Sequence, residues 1–126
     1  MRLNATSFAL PVVMLLCLSA CDLDPLGLSE KKIGGGYRLL LAEDGGFAVL
    51  RKGDGAGQGV TRLGWRKPFI VAVTGDGYWE VFDTSTGSDN LSLSAEQVQA
   101  DVRVRDIPLV PAETAWKRLR HYRSQW

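Results

Sequence analysis

Cysteine and histidine are almost missing from this chain. Its 126 residues hold two cysteines and one histidine: Cys17, Cys21 and His121. That excludes a disulfide scaffold and an all-protein Cys/His zinc site. Net charge is almost missing as well, +1 from 15 basic and 14 acidic side chains. No whole-protein basic field marks a nucleic-acid binder, so no nucleic-acid partner is expected. No acidic residue precedes Asp22. Glycine is absent from Ser88 onward, although 14 glycines lie between Gly27 and Gly87. What is present is ordinary for a folded domain, with 45% hydrophobic and 23% charged residues. A disordered chain has too few apolar groups for that composition.

The acid-free opening is itself a signal. Met1-Arg2 supplies a positive start, and an apolar run of about eleven residues extends from Phe8 to Leu18. Small residues follow, in Leu18-Ser19-Ala20-Cys21. This is the layout of an export leader. The run is too short for a membrane-spanning helix, which needs roughly twenty apolar residues. Pro11 inside it disfavours a permanent helix.

Leu18-Ser19-Ala20-Cys21 resembles the lipobox of bacterial lipoproteins. The resemblance covers residues 1–21 alone. It implies a signal peptide over 1–20, a diacylglyceryl thioether on Cys21, and an N-acyl chain such as palmitate on its new amino group. No other cofactor is expected. Two acyl chains suffice for stable anchoring, since each buried methylene contributes roughly 0.8 kcal/mol. The lipid bilayer is thus the first expected partner. Cys17 would leave with the leader, so the remaining chain could form no disulfide. Asp22 resembles the sorting residue that keeps enteric lipoproteins at the inner membrane. The implied location is the cell membrane, facing the periplasm, with the outer membrane as the alternative. The rest of the chain resembles only the broad set of small bacterial lipoproteins, and that likeness transfers no activity.

Beyond the anchor, residues 21–36 read as a lipidated cysteine and flexible tether. Pro25, Gly27, Glu30-Lys31-Lys32 and Gly34-Gly35-Gly36 give it much backbone freedom and little to bury. Residues 37–126 then form one globular domain. Hairpin turns need glycine, so the glycine-bearing part predicts short strands, at 37–42, 47–52, 60–65, 69–73 and 78–82. Phe69-Ile70-Val71-Ala72-Val73 is β-branched and uncharged, which suits a central strand. In the last strand, Glu80 and Phe82 should share one face and Trp79 and Val81 the other. The glycine-free part predicts helices. Ser94 with Gln97 makes a capping box, opening a helix to about residue 104. A strand from Val102 is the rival reading. Ala112, Ala115, Trp116, Leu119 and Tyr122 form an apolar stripe for a second helix over 112–124. The expected fold is α+β, an antiparallel meander of about five strands with two C-terminal helices packed on one face. Phe69, Val71, Val73, Val81, Trp116 and Leu119 are its core candidates.

No constellation predicts catalysis, and the expected answer is that this is not an enzyme. His121 lies between Arg120 and Arg123 with no nucleophile in view, and reads as a solvent-exposed helix residue. Asp83, Ser85, Gly87 and Asp89 alternate oxygens, but lack the glycine and closing glutamate of a calcium loop. They read as a turn, and no metal is expected. Residues 53–59 lack the Gly-Lys-Ser/Thr ending of a phosphate loop and read as a mobile hairpin loop. Glu80 and Asp83 fall on opposite faces of a regular strand, so they do not face each other across a sugar cleft.

Charge is polarised along the chain. Residues 103–126 carry six basic and two acidic groups, whereas residues 22–101 carry eight basic and twelve acidic. Lys117, Arg118, Arg120, Arg123 and Trp126 therefore mark a candidate partner surface, for an acidic protein or anionic lipid headgroups. The expected function is that of a membrane-tethered, non-enzymatic periplasmic binding protein, one form being an inhibitor or immunity-type protector. A structural or assembly accessory of an envelope complex is the alternative.

Overall fold

The computed structural model describes residues 29–51 and 54–126. The leader, Cys21 and Asp22 lie outside the described residues. Nine strands are described: β1 Glu30–Gly34, β2 Tyr37–Leu41, β3 Phe47–Arg51, β4 Asp54–Gln58, β5 Val60–Arg66, β6 Phe69–Thr74, β7 Trp79–Asp83, β8 Ser88–Leu93 and β9 Val110–Pro111. Two short helices accompany them, α1 Ala95–Ala100 and α2 Ala112–Arg118. Content is therefore mixed α+β and mostly strand. The strands form two antiparallel sheets, ordered β1-β2-β3-β4 and β8-β7-β6-β5-β9. Among the described residues no helix is long and apolar enough to cross a membrane.

One core lies between the sheets. Ile33, Tyr37, Leu39 and Val49 from the first sheet meet Leu63, Ile70 and Phe82 from the second. Ala112, Ala115 and Leu119 close the same core. A second core covers the opposite face of the second sheet, where Val71 and Val81 meet Val98, Val104 and Ile107. β6 is thus buried on both faces at the middle of its sheet, which accounts for its uninterrupted apolar run. The alternation predicted for β7 holds: Phe82 enters the first core, while Trp79 and Val81 belong to the second.

Several expectations need correction. The sheet is not one meander of five strands, because β1, β4, β8 and β9 add to the five predicted segments and split them into two sheets. Glu30–Gly34, read as tether, is an edge strand held by pairing with β2. The two-residue turn Gly35-Gly36 joins them, and both glycines have positive φ, 60° and 86°. That is the backbone a tight hairpin of native twist requires. Residues 53–59, read as a mobile loop, contain β4, which pairs with β3 across a register shift between Val49 and Leu50. Its glycines admit close packing: a Cβ on Gly57 would lie 2.7 Å from Glu80 Oε2.

Both helices are shorter than their stripes suggested. The capping box forms, with Gln97 N donating to Ser94 Oγ and Ser94 N to Gln97 Oε1. Asp101 then ends α1, because its carboxylate accepts from the backbone N–H of Arg103 and from the Arg103 guanidinium. Such local bonding competes with helix continuation. α2 stops at Leu119, where the chain turns extended and Lys32 N donates to Arg120 O. Gln125 N donates to Ile33 O further along. The segment predicted as the helix's second half instead runs beside β1. The two helices also contribute to different cores, Val98 to the second and Ala115 to the first, rather than to one face. Of the six core candidates, Val71, Val73, Val81 and Leu119 are buried. Phe69 and Trp116 are half-buried at the core margins.

Candidate functional site

Two features meet at the β1–β2 turn, one buried and polar, the other open and cationic. The buried one begins with Tyr37, whose ring packs 5.8 Å from Phe82. Its hydroxyl donates to Asp89 Oδ1 at 2.7 Å. The Arg51 guanidinium donates to Asp89 Oδ2, and to the Gly87 carbonyl oxygen at 3.1 Å. Burial, reinforced by the Asp89 hydrogen bond, pushes the Tyr37 phenol above its ordinary value. The cluster thus ties β2 and β3 of one sheet to β8 of the other.

Glu80 lies deeper, only 4% exposed, beneath the backbone of Gly57 and beside Phe82. Its Oε1 has no hydrogen-bond partner among the described residues. Burial, with the charge of Asp89 adding to it, raises its pKa from 4.5 to about 7. A charged carboxylate is costly where low polarity surrounds it, so the proton is retained to near neutrality.

The open feature is a cleft of about 470 Å³ against the Gly34–Gly35–Gly36 turn. Lys32, Arg38, Arg123, Tyr122 and Ser124 line it, and among the described residues no carboxylate does. Lys32 and Arg38 are directly opposed partners of the β1–β2 ladder, so their side chains leave the same face. Arg123 arrives from the far end of the chain, carried by the backbone bonds that lay the last residues along β1. Arg38 also meets Glu30, Nη1 to Oε2 at 3.0 Å. The neighbourhood is electropositive. Desolvation, with the charge of Arg120 adding to it, lowers the pKa of Lys31, whose Nζ sits over Trp116 and donates to its carbonyl oxygen at 2.9 Å.

The sequence-predicted surface is divided by this arrangement. Arg123 enters the cleft, and Arg120 flanks it through its bridge to Lys32. Lys117 remains on α2, exposed, with its Nζ 3.7 Å from Glu113 Oε1. Arg118 borders a separate small hollow with Trp65 and Pro108. Trp126 is neither frayed nor a free surface aromatic, since it packs on the first core and its ring occupies the space a Gly34 side chain would need. Cys21 and Asp22 lie outside the described residues.

His121 is half-buried rather than an exposed helix residue. It lies past the end of α2, with Nδ1 3.0 Å from the Glu30 carbonyl oxygen and its ring edge against Trp116. Asp83 accepts from both N and Oγ of Ser85, which makes a turn and holds its carboxyl below the usual range. Asp89 is committed to Tyr37 and Arg51. Among the described residues no three side chains form a metal-binding group.

Sequence reasoning missed Lys32 and Arg38 as members of the basic surface, because Lys32 stands in a segment read as tether and Arg38 in a predicted strand far from the C-terminus. It also missed the partners of Asp89, which lie 52 and 38 positions away. Facing periodicity did place Glu80 with Phe82, and that was the available signal for its burial. No family model, no curated protein and no solved structure matches the chain.

Proposed function

We propose that this chain is a lipid-anchored protein of the bacterial cell envelope that acts by binding rather than by catalysis. The acyl chains on Cys21 hold it to the bilayer, and the domain faces the periplasm from the inner membrane. The carrying observation is the cleft beside β1, lined among the described residues by three cations and no carboxylate. β1 begins nine residues after Cys21. At about 3.5 Å per residue, that linker spans at most about 30 Å, so the basic end of the domain stays near the membrane surface. His121, the chain's one histidine, is engaged with Glu30 and Trp116, which favours a structural role over a catalytic one.

Acidic partners fit such a surface, since opposite potentials steer association and set specificity. A protector that captures a secreted enzyme would work this way. The test begins with Cys21→Ser in the full-length gene. The wild-type protein should fractionate with membranes and carry the acyl mass on its first mature residue, and the variant should keep its leader and lack that mass. Equal processing of the two refutes the anchor. Capture of binding partners from detergent-solubilised envelope at low salt tests the second half. Capture that persists unchanged at high salt refutes a charge-directed surface.

A further inference from the structure

We infer that the cleft at the β1–β2 turn is a binding site for a phosphate group, carried on a lipid headgroup or on a small free molecule. The inference deepens the binding function proposed above and rests on it, but does not need the anchor.

The geometry of the cations is the reason. Lys32 and Arg38 face each other directly across two strands. Like charges so placed destabilise a hairpin. Glu30 reaches Arg38 from one side at 3.0 Å, which balances one of the two charges and leaves the Lys32 side of the pair without that help. Arg123 brings a third positive charge into the same concavity. An anion seated among the three would offset the repulsion between them.

Phosphate suits the site better than a carboxylate. Cationic residues from β1, β2 and the C-terminal segment line one concavity. A phosphate monoester offers three terminal oxygens, and a phosphodiester headgroup offers two arranged tetrahedrally with its ester oxygens, whereas a carboxylate offers two in one plane. Arginine's planar fork matches phosphate oxygens in pairs, and lysine serves as a point charge beside it. Ser124 lies in the lining with its hydroxyl donating to the Trp126 carbonyl oxygen, so the cationic side chains carry the recognition. About 470 Å³ is ample for a phosphoglycerol unit and falls within the range of small-molecule sites.

The test uses the full-length chain in a neutral detergent, with amide shifts of Gly34, Gly35, Gly36 and Arg123 as the readout. The soluble probes are inorganic phosphate, glycerol phosphate and hexaglutamate. Neutral bicelles with and without phosphatidylglycerol supply the lipid arm. Saturable shifts with glycerol phosphate, weakened about tenfold by Arg123→Ala or Lys32→Ala and little changed by Arg105→Ala, support the site. Arg123→Lys should recover part of the loss. Shifts with both soluble phosphates identify a free ligand as sufficient. Shifts seen only with phosphatidylglycerol identify the headgroup as the source. Tighter binding of hexaglutamate than of any phosphate probe overturns the inference in favour of an acidic polypeptide, while the binding function survives. No response to any probe overturns both. Equal weakening by Arg105→Ala shows diffuse attraction and overturns the site.

Discussion

Replacing Glu80 by glutamine should flatten the dependence of stability on pH. The Glu80 carboxyl is buried, one oxygen lacks a hydrogen bond, and its pKa in the folded protein is about 7 against an ordinary 4.5. The native state therefore holds this proton more tightly than the unfolded chain does. Stability from this group is complete below pH 4.5 and is lost as pH rises towards and through 7. At about 1.4 kcal/mol per pH unit of differential protonation, the loss between pH 5 and pH 8 is about 2.5 kcal/mol. For a domain of this size that corresponds to a melting temperature lower by about 10–20 °C at pH 8. Urea unfolding of the wild type and Glu80→Gln at both pH values measures it. The amide brings donors of its own to a site without a partner for Oε1, so the variant's absolute stability is not the readout. The difference in pH slope is, because apart from Asp89, whose charge is coupled to Glu80, the other titrating groups are common to both proteins. Equal slopes would refute the assignment of the buried charge to Glu80.

Two substitutions probe the packing. Leu119→Ala removes a side chain that is 0% exposed where α2 hands over to the C-terminal segment, and should cost about 2–5 kcal/mol by urea unfolding. Gly64→Ala would set a Cβ 2.3 Å from the Pro108 carbonyl oxygen, so the connection to β9 must shift. About 1–3 kcal/mol should be lost in the same assay, and a neutral result would contradict the close approach of β5 to that connection.

Much of the strand framework was legible because its signals are local. Two-residue alternation, positive-φ glycines at turns and the apolar run of β6 each follow from a few neighbouring residues. The capping box of Ser94 and Gln97 was legible for the same reason. Helix lengths were not. The stripe through Leu119 and Tyr122 fits a helix, yet the backbone of Lys32 captures Arg120 and draws the chain extended. Asp101 ends α1 through a carboxylate that could equally have pointed to solvent. In neither case does helix propensity distinguish the outcome.

The candidate site divides along the same line. Sequence by itself determined that basic charge gathers near the C-terminus and that Glu80 shares a face with Phe82. Only the tertiary structure decided that Arg123 joins Lys32 and Arg38, and that Lys117 and Arg118 do not. It alone decided that Asp89 serves Tyr37 and Arg51. The physical reason is range. Turns, caps and face alternation depend on residues a few positions apart, while the cleft and the buried cluster depend on which strands pair and which backbone groups must find partners once buried.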